Sequence, residues 1–445
     1  MRVKRTEVIE SLQIVADADR LTSRAGTALL VGVADKVGLT RALAQAMADV
    51  RKRSSRHDPG RTLLDLATML ADGGDCLADL SALRDQRTLF GDVPSQATAW
   101  RALAALADGR LSALRQARAQ ARARVWQLAG APRRVMLDLD ATLITAHSEK
   151  EQAAGTYKHG FGFHPLLCYE ATTEEALAGV LRPGNAGANT AADHIAALEL
   201  AVEQLPAQAL GPGVLVRADS GGASHDFLDR VVSRGFRFSV GFDLTEPVRE
   251  AILTVPEQAW RPAQTQAGEP REGAAVAELA LELEANGWPA GTRAICRRER
   301  PHPGAQLSFT DHNGYRFQVF ITNQQGKRIE RLEQLHRQHA VVEDRIRCGK
   351  DTGLRNLPFQ KFAPNAAWLE LALLGQDLLA WTQRLLLTGE LARCEPKRLR
   401  YRLLHVAGRI TRHARRVRLH LPRGWPWGEA LLAAFERLRA LPQPP

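Results

Sequence analysis

Residues 133–145 read RRVMLDLDATLIT. After two arginines comes an apolar, β-prone run holding two acids, Asp138 and Asp140. Side chains alternate across a strand, so both carboxylates point to one face. A strand that ends in an acid presents it at the edge of a sheet, where Mg2+ can keep part of its water shell. One of the two acids is expected to be an ordinary surface or turn residue.

Working outward, the next segments fix the order of elements. GFHPLLCYEAT (162–172) and ALAGVLRPG (176–184) read as two more strands separated by turn residues. NTAADHIAALELAVEQL (189–205) is a helix capped by Asn189 or Thr190. GVLVRADSGG (213–222) is a strand ending in a glycine turn, HDFLDRVVSRG (225–235) a helix, and FRFSVGFD (236–243) a strand. Three consecutive strands, helix, strand, helix, strand is the order of an RNase H-like core. Hairpins join its first three strands and helical crossovers join the last two, which predicts a mixed five-stranded sheet with flanking helices. The fold class is α/β, in an α+β multidomain arrangement.

The strand–helix rhythm breaks after Asp243. Residues 244–325 hold a Pro/Gly/Gln-rich stretch (WRPAQTQAGEPREG), a predicted helix AAVAELALELEAN (274–286), and β-like segments GTRAICRRER (291–300), AQLSFTDH (305–312) and YRFQVFITN (315–323). This predicts a β-rich insertion. A long helix over RIERLEQLHRQHAVVEDRIRCGK (328–350) then returns to the core. Upstream, three stretches between 29 and 129 carry apolar residues at three-to-four spacing and read as helices. The first two are joined by the basic link RKRSSRHDPGR (51–61), suited to meeting phosphates. The expected domains are a helical, DNA-binding 1–130, a catalytic core over 131–243 and 326–390, the insertion 244–325, and a basic region 391–445.

Two further acids share the character of the first pair. Asp219, in LVRADSGG, is delivered by an apolar strand into a turn where Ser220, Gly221 and Gly222 leave room for a metal or a phosphate. Glu343 lies on the predicted long helix, with Lys350 two turns on and on the same face, and Arg347 between them. Three carboxylates holding two divalent ions, Mg2+ with Mn2+ as a substitute, serve in-line displacement at phosphorus and need no side-chain nucleophile.

Charge and composition agree with a nucleic-acid partner. Lys and Arg number 60 against 49 Asp and Glu, a formal net charge of +11. Between Arg393 and Arg423 the only acid is Glu395, while Arg412, Arg415 and Arg416 are among the many cations expected on a helix and a strand. Five scattered cysteines form no CxxC pair, which fits a reducing cytoplasm with free thiols. The apolar run from Ala366 carries Glu370, Gln376, Asp377 and Arg384 and is expected to be a buried helix, with no membrane partner. His147, His159 and His164 match no metal spacing, Trp260 and Trp288 are expected in the insertion's core, and GNAGAN (184–189) lacks a phosphate-loop lysine.

Together these residues resemble the DDE transposases of bacterial insertion sequences, in DDE group one, the insertion-sequence thirteen-eighty family. The resemblance runs from about Ser23 to the C-terminus. It includes RHDPGRTLLDLATML (56–70), YKHGFGFHPLLCY (157–169), LRPGNAGANTAADH (181–194) and LPFQKFAPNAAWLELALLGQDLLAW (357–381). In that family the first acid precedes Ala-Thr or Thr-Thr, which selects Asp140, and the second sits in Asp-Ser-Gly, which selects Asp219. The third sits in a Tyr-x2-Arg-x3-Glu-x6-Lys motif, matching Glu343 and Lys350. The tyrosine and arginine positions are His336 and His339 here, so His339 and, as a substitute, Arg337 are the expected DNA contacts. The resemblance implies cleavage and strand transfer at terminal inverted repeats, with double-stranded DNA as partner and a homodimer or higher oligomer pairing two ends. Two rivals remain at this stage. DLDAT also fits a haloacid-dehalogenase phosphatase with Asp138 as nucleophile, and a catalytically inactive DNA-binding derivative would keep the same segments.

Overall fold

The computed structural model describes Leu12, Val15, Asp17 and residues 19–51, 55–301, 313–414 and 416–444. Its centre is a mixed α/β layer on one nine-stranded sheet. Five strands answer to those expected: β1 (Met136–Ala141), β2 (Leu166–Glu170), β3 (Ala176–Val180), β4 (Leu215–Ala218) and β5 (Arg237–Phe242). β2 runs antiparallel to both β1 and β3, while β4 is parallel to β1 and β5 parallel to β4. A helix over Ala191–Glu203 crosses from β3 to β4, and one over His225–Ser233 from β4 to β5. Three short strands after β1 (Ile144–Thr145, Ala154–Gly155, Phe161–Phe163) form a small separate sheet.

The sheet does not stop at five strands. β6 (Arg261–Gln264), β7 (Pro270–Leu279), β8 (Arg293–Glu299) and β9 (Arg316–Thr322) extend it antiparallel, with β9 bonded to β5. The insertion therefore lengthens the core sheet. β7 also corrects the helix expected over 274–286. Alanine and leucine favour helix by less than about 1 kcal/mol per residue, and pairing along β8 outweighs that. Ala274 and Val276 are buried on one side in a small core with Ile295, Phe320, Ile329 and Leu332. Ala277 and Leu279 are buried as well, and Glu278 pairs with Arg293 at 2.7 Å. Segment 305–312, expected as a strand, lies outside the described residues. A helix over Glu246–Thr254 was not foreseen.

The single long helix expected over 328–350 is two. α1 (Ile329–Arg337) and α2 (Val341–Gly349) are joined by a tight turn at Gln338–Ala340. Behind the sheet runs α3 (Phe362–Leu386), the buried helix expected in the apolar run, with Trp368 and Trp381 fully enclosed. No helix among the described residues is long and apolar enough to cross a membrane. Gly179 of β3 lets α3 close in, since a Cβ there would sit 3.1 Å from Leu373 and 3.2 Å from Leu369.

The expected N-terminal helices are present, and they pack on α3. The link is a buried ionic network. From the helix Leu111–Ala129, Arg118 bonds Glu370 at 2.8 Å and Asp377 at 3.0 Å, while Arg122 bonds Asp377 at 2.6 Å and Glu175 at 3.0 Å. Both arginines also donate to the Ala176 carbonyl of β3, and Trp126 and Trp381 donate to Glu175. Each buried charge is thus matched by opposite charge and by directed hydrogen bonds, the condition under which buried ions are tolerated.

Candidate active site

The parallel pairing of β1 and β4 sets Asp138 opposite Arg217 and Leu139 opposite Ala218. One step further along the same register, Asp140 and Asp219 leave adjacent strands side by side. Asp138 and Arg217 are both buried and bind as a two-point fork at 2.6 and 2.7 Å. Burial raises the Asp138 carboxyl above its usual range against the pull of that arginine. Asp138 is therefore a structural acid, closed off from any substrate. This removes the phosphatase alternative, whose doubly wound parallel sheet is also absent: β1, β2 and β3 are antiparallel neighbours.

Asp219 folds its carboxylate back onto the Gly221 amide at 3.0 Å, making the tight turn that its Ser-Gly-Gly sequence predicts. The turn is pressed onto β5. A Cβ at Gly241 would lie 2.8 Å from the Ser220 nitrogen and 3.0 Å from the Asp219 carbonyl carbon. One at Gly222 would lie 2.6 Å from the Ala218 Cβ. Glycine at these positions is what lets the acid stand at the strand end.

The α1–α2 corner brings the third acid in. His339 bonds the Leu139 carbonyl through Nε2 at 3.0 Å, and Glu343 follows one turn later on α2. Two more pins hold the corner. Arg217 donates to the Leu335 carbonyl at 2.5 Å, and His336 bonds the Ser239 hydroxyl at 3.0 Å while stacking on Phe320 at 4.3 Å. Burial pushes the His336 imidazole down to about 3, so it is neutral. The two histidines that replace the motif's tyrosine and arginine thus face inward as braces. His339, expected at the DNA, is a tie to β1 in this structure, a role the sequence does not announce.

Asp140, Asp219 and Glu343 share one electrostatic neighbourhood. Burial, then Asp219, and more weakly Glu343 and Asp138, raise the Asp140 carboxyl from its usual 3.8 to about 7. Neither Asp219 nor Glu343 has a basic partner among the described residues, and Asp140 accepts only the adjacent Ala141 amide. The one set of three donors among the described residues whose atoms all lie within 4.8 Å is Asp75, Cys76 and Asp79, where Asp79 caps the amides of the other two. The three acids beside β1 are spread more widely than a single-ion cluster.

Among the cations singled out, Lys350 is half-buried and has no bonding partner among the described residues. Burial first, then Lys158 and Arg355, push its ammonium down, which places Lys158 beside it unforeseen. Arg347 is committed to Glu395 at 3.0 Å and Asp344 at 3.1 Å, and Arg337 to Glu333 at 2.9 Å and the Gln264 carbonyl. Arg412 and Arg416 are exposed on other strands, and Arg415 lies outside the described residues. His164, singled out in the sequence without a metal role, is buried with Nδ1 at 3.2 Å from the Ala186 carbonyl, in the field of Asp219.

An open trio of strand-end and helix acids, with a cation two helical turns on, is the arrangement expected of a polynucleotide-processing enzyme of the DDE class. The profile of the family described as transposase DDE domain group 1 matches residues 5–443, so the chain belongs to that family and is a DDE transposase acting in DNA transposition. Such enzymes use divalent metal ions. A solved structure titled as the piggyBac transposase synaptic complex with hairpin DNA is similar over 85% of this chain and 80% of that one, at 9% identity and a TM-score of 0.44. No curated protein sequence matches this one.

Proposed function

We propose that Asp140, Asp219 and Glu343 hold two Mg2+ ions, with Mn2+ as a substitute, in a core of RNase H-like order. The reaction is cleavage and strand transfer at the terminal inverted repeats of an insertion sequence of the thirteen-eighty type. The observation that carries this is the meeting of three carboxylates without a basic partner, with Asp140 held near 7. Hard oxygen donors in that arrangement would suit Mg2+, and a spread wider than one ion needs would suit a pair. When bound, such a pair acidifies the attacking water or 3′-hydroxyl and steadies the departing oxygen.

The chain's own residues do the positioning. Asp140 and Asp219 are fixed by adjacent strands, Glu343 closes over them from α2, and Lys350 with Lys158 receives the neighbouring phosphate. Arg347 and Arg337 are already spent on Glu395 and Glu333, so a phosphate would have to displace a carboxylate to reach them. The catalytic unit comprises 131–243 and 326–390, with helices before it and the basic region 391–445 after it on DNA, in a homodimer or larger assembly that pairs two ends. A cleavage assay on the DNA flanking the element, with Mg2+, compares wild type with Asp219→Asn. The variant should lose nicking by at least a hundredfold, and equal nicking would refute the Asp219 assignment.

A further inference from the structure

The basic region holds the expected helix at Pro396–Leu399 and, beyond it, a two-stranded ribbon, β10 (Gly408–His413) and β11 (Arg416–His420), one strand more than the sequence suggested. The register pairs Arg409 with His420, Thr411 with Arg418, and His413 with Arg416. Directly opposed residues share a face, so these six side chains make one face of the ribbon. Every one is a donor or a cation and none is an acid. All are exposed except Thr411, which is half-buried and bonds His420 at 2.8 Å.

The other face anchors the ribbon at its base. Ile410 and Leu419 turn inward, and a Cβ at Gly408 would lie 2.9 Å from Leu419. Leu21–Thr22 forms a third strand against β10, and the Ile410 amide bonds the Arg20 carbonyl at 2.9 Å. Towards the tip Arg412 and Val417 are exposed on this face too, and Arg412 lines a hollow with Arg20 and Arg87.

The guanidinium groups of Arg409, Arg412, Arg416 and Arg418 have no hydrogen-bond or ion-pair partner among the described residues. Many other surface arginines are tied to acids, as Arg110 is to Asp49 and Arg234 to Glu199. Four unpaired cations on a narrow projecting element need a polyanion to offset their repulsion. A two-stranded ribbon fits the major groove of B-form DNA, about 12 Å wide, and an arginine fork matches the O6 and N7 acceptors of guanine.

We propose that this ribbon is a duplex-DNA reader that lays Arg409, Arg416 and Arg418 against base edges in the major groove, while Arg412 meets the phosphate backbone beside it. The proposal deepens the transposase reading and rests on it, because it states which surface recognises the DNA that the acids cut.

The test uses the full chain in EDTA, so that no cutting intervenes, and a pool of short random-sequence duplexes as probe. Wild type should enrich a shared, guanine-containing sequence. The triple variant Arg409→Lys/Arg416→Lys/Arg418→Lys keeps the charge but loses the forks. It should bind the unselected pool within about twofold of wild type and lose the enrichment. The alanine variant Arg412→Ala, at the phosphate contact, should also lower the slope of log affinity against log salt by about 0.9. Thermal melting shows that both variants fold. Enrichment of the same sequence by the lysine variant, an unchanged salt slope in the alanine variant, or no enrichment by wild type would each overturn the proposal. Mg2+-dependent nicking by wild type is scored separately, so failure of the ribbon is distinct from failure of the catalytic reading.

Discussion

Replacing Asp140 with asparagine should stabilise the metal-free protein at alkaline pH while abolishing its response to Mg2+. The folded chain holds the Asp140 proton near pH 7 where the usual value is 3.8. That is roughly a thousandfold tighter and corresponds to at most about 4 kcal/mol between the two protonation states. Asp140 is only half-buried and Asp219 is exposed to water, so screening reduces the figure to about 2 kcal/mol. Below pH 4 the carboxyl is protonated whether the chain is folded or not. Between pH 4 and 7 the folded state alone keeps the proton, so this contribution to stability is lost as pH rises through about 7. Urea denaturation in EDTA should therefore show Asp140→Asn close to wild type at pH 4 and about 2 kcal/mol more stable at pH 8. Mg2+ at a hundred times its dissociation constant should add about 2.7 kcal/mol to wild type and nothing to the variant. A variant less stable than wild type at pH 8, or one stabilised by Mg2+ to the same extent, would refute the idea of crowded carboxylates awaiting a cation.

Two further substitutions probe how the acids are held. Arg122→Ala leaves Glu175 and Asp377 with buried, partly uncompensated charge and should cost about 3–5 kcal/mol in urea denaturation; a loss under about 1 kcal/mol would show that the network does not bind the N-terminal helices to α3. Gly241→Ala drives a methyl into the Asp219 turn and should displace that acid more than it harms the fold. Displacement by about 1 Å can cost about a hundredfold in rate, so Mg2+-dependent nicking should fall by that order with DNA affinity retained, and wild-type nicking would show that the turn gives way without moving Asp219.

The central strands were legible because each is a short apolar run bounded by turn residues, and because β1 and β4 each deliver an acid at the same end. That regularity comes from the pleat, which depends on local sequence alone. β7 was misread since AAVAEL satisfies both the helical and the extended period, and only its neighbour β8 decides between them. The break between α1 and α2 was hidden for a similar reason. The apolar positions run on through 328–350 as one helix would have them, and within the turn at Gln338–Ala340 His339 bonds a carbonyl two hundred residues earlier in the chain. Arg217 illustrates the same limit: a charged residue inside an apolar strand signals a buried partner, but only the register identifies that partner as Asp138.

That register also explains why DLDAT carries two acids with different fates. Asp138 and Asp140 share a face, yet β4 offers Arg217 to the first and an acid to the second. The arginine neutralises Asp138, and it also ties Leu335 on the helix that leads towards Glu343. One guanidinium thus closes off the inner carboxylate and anchors the approach of the third acid to the outer one. The histidines at the motif's tyrosine and arginine positions continue the same brace, His336 onto β5 and β9 and His339 onto β1. Lys350, with Lys158 beside it, has no carboxylate partner among the described residues.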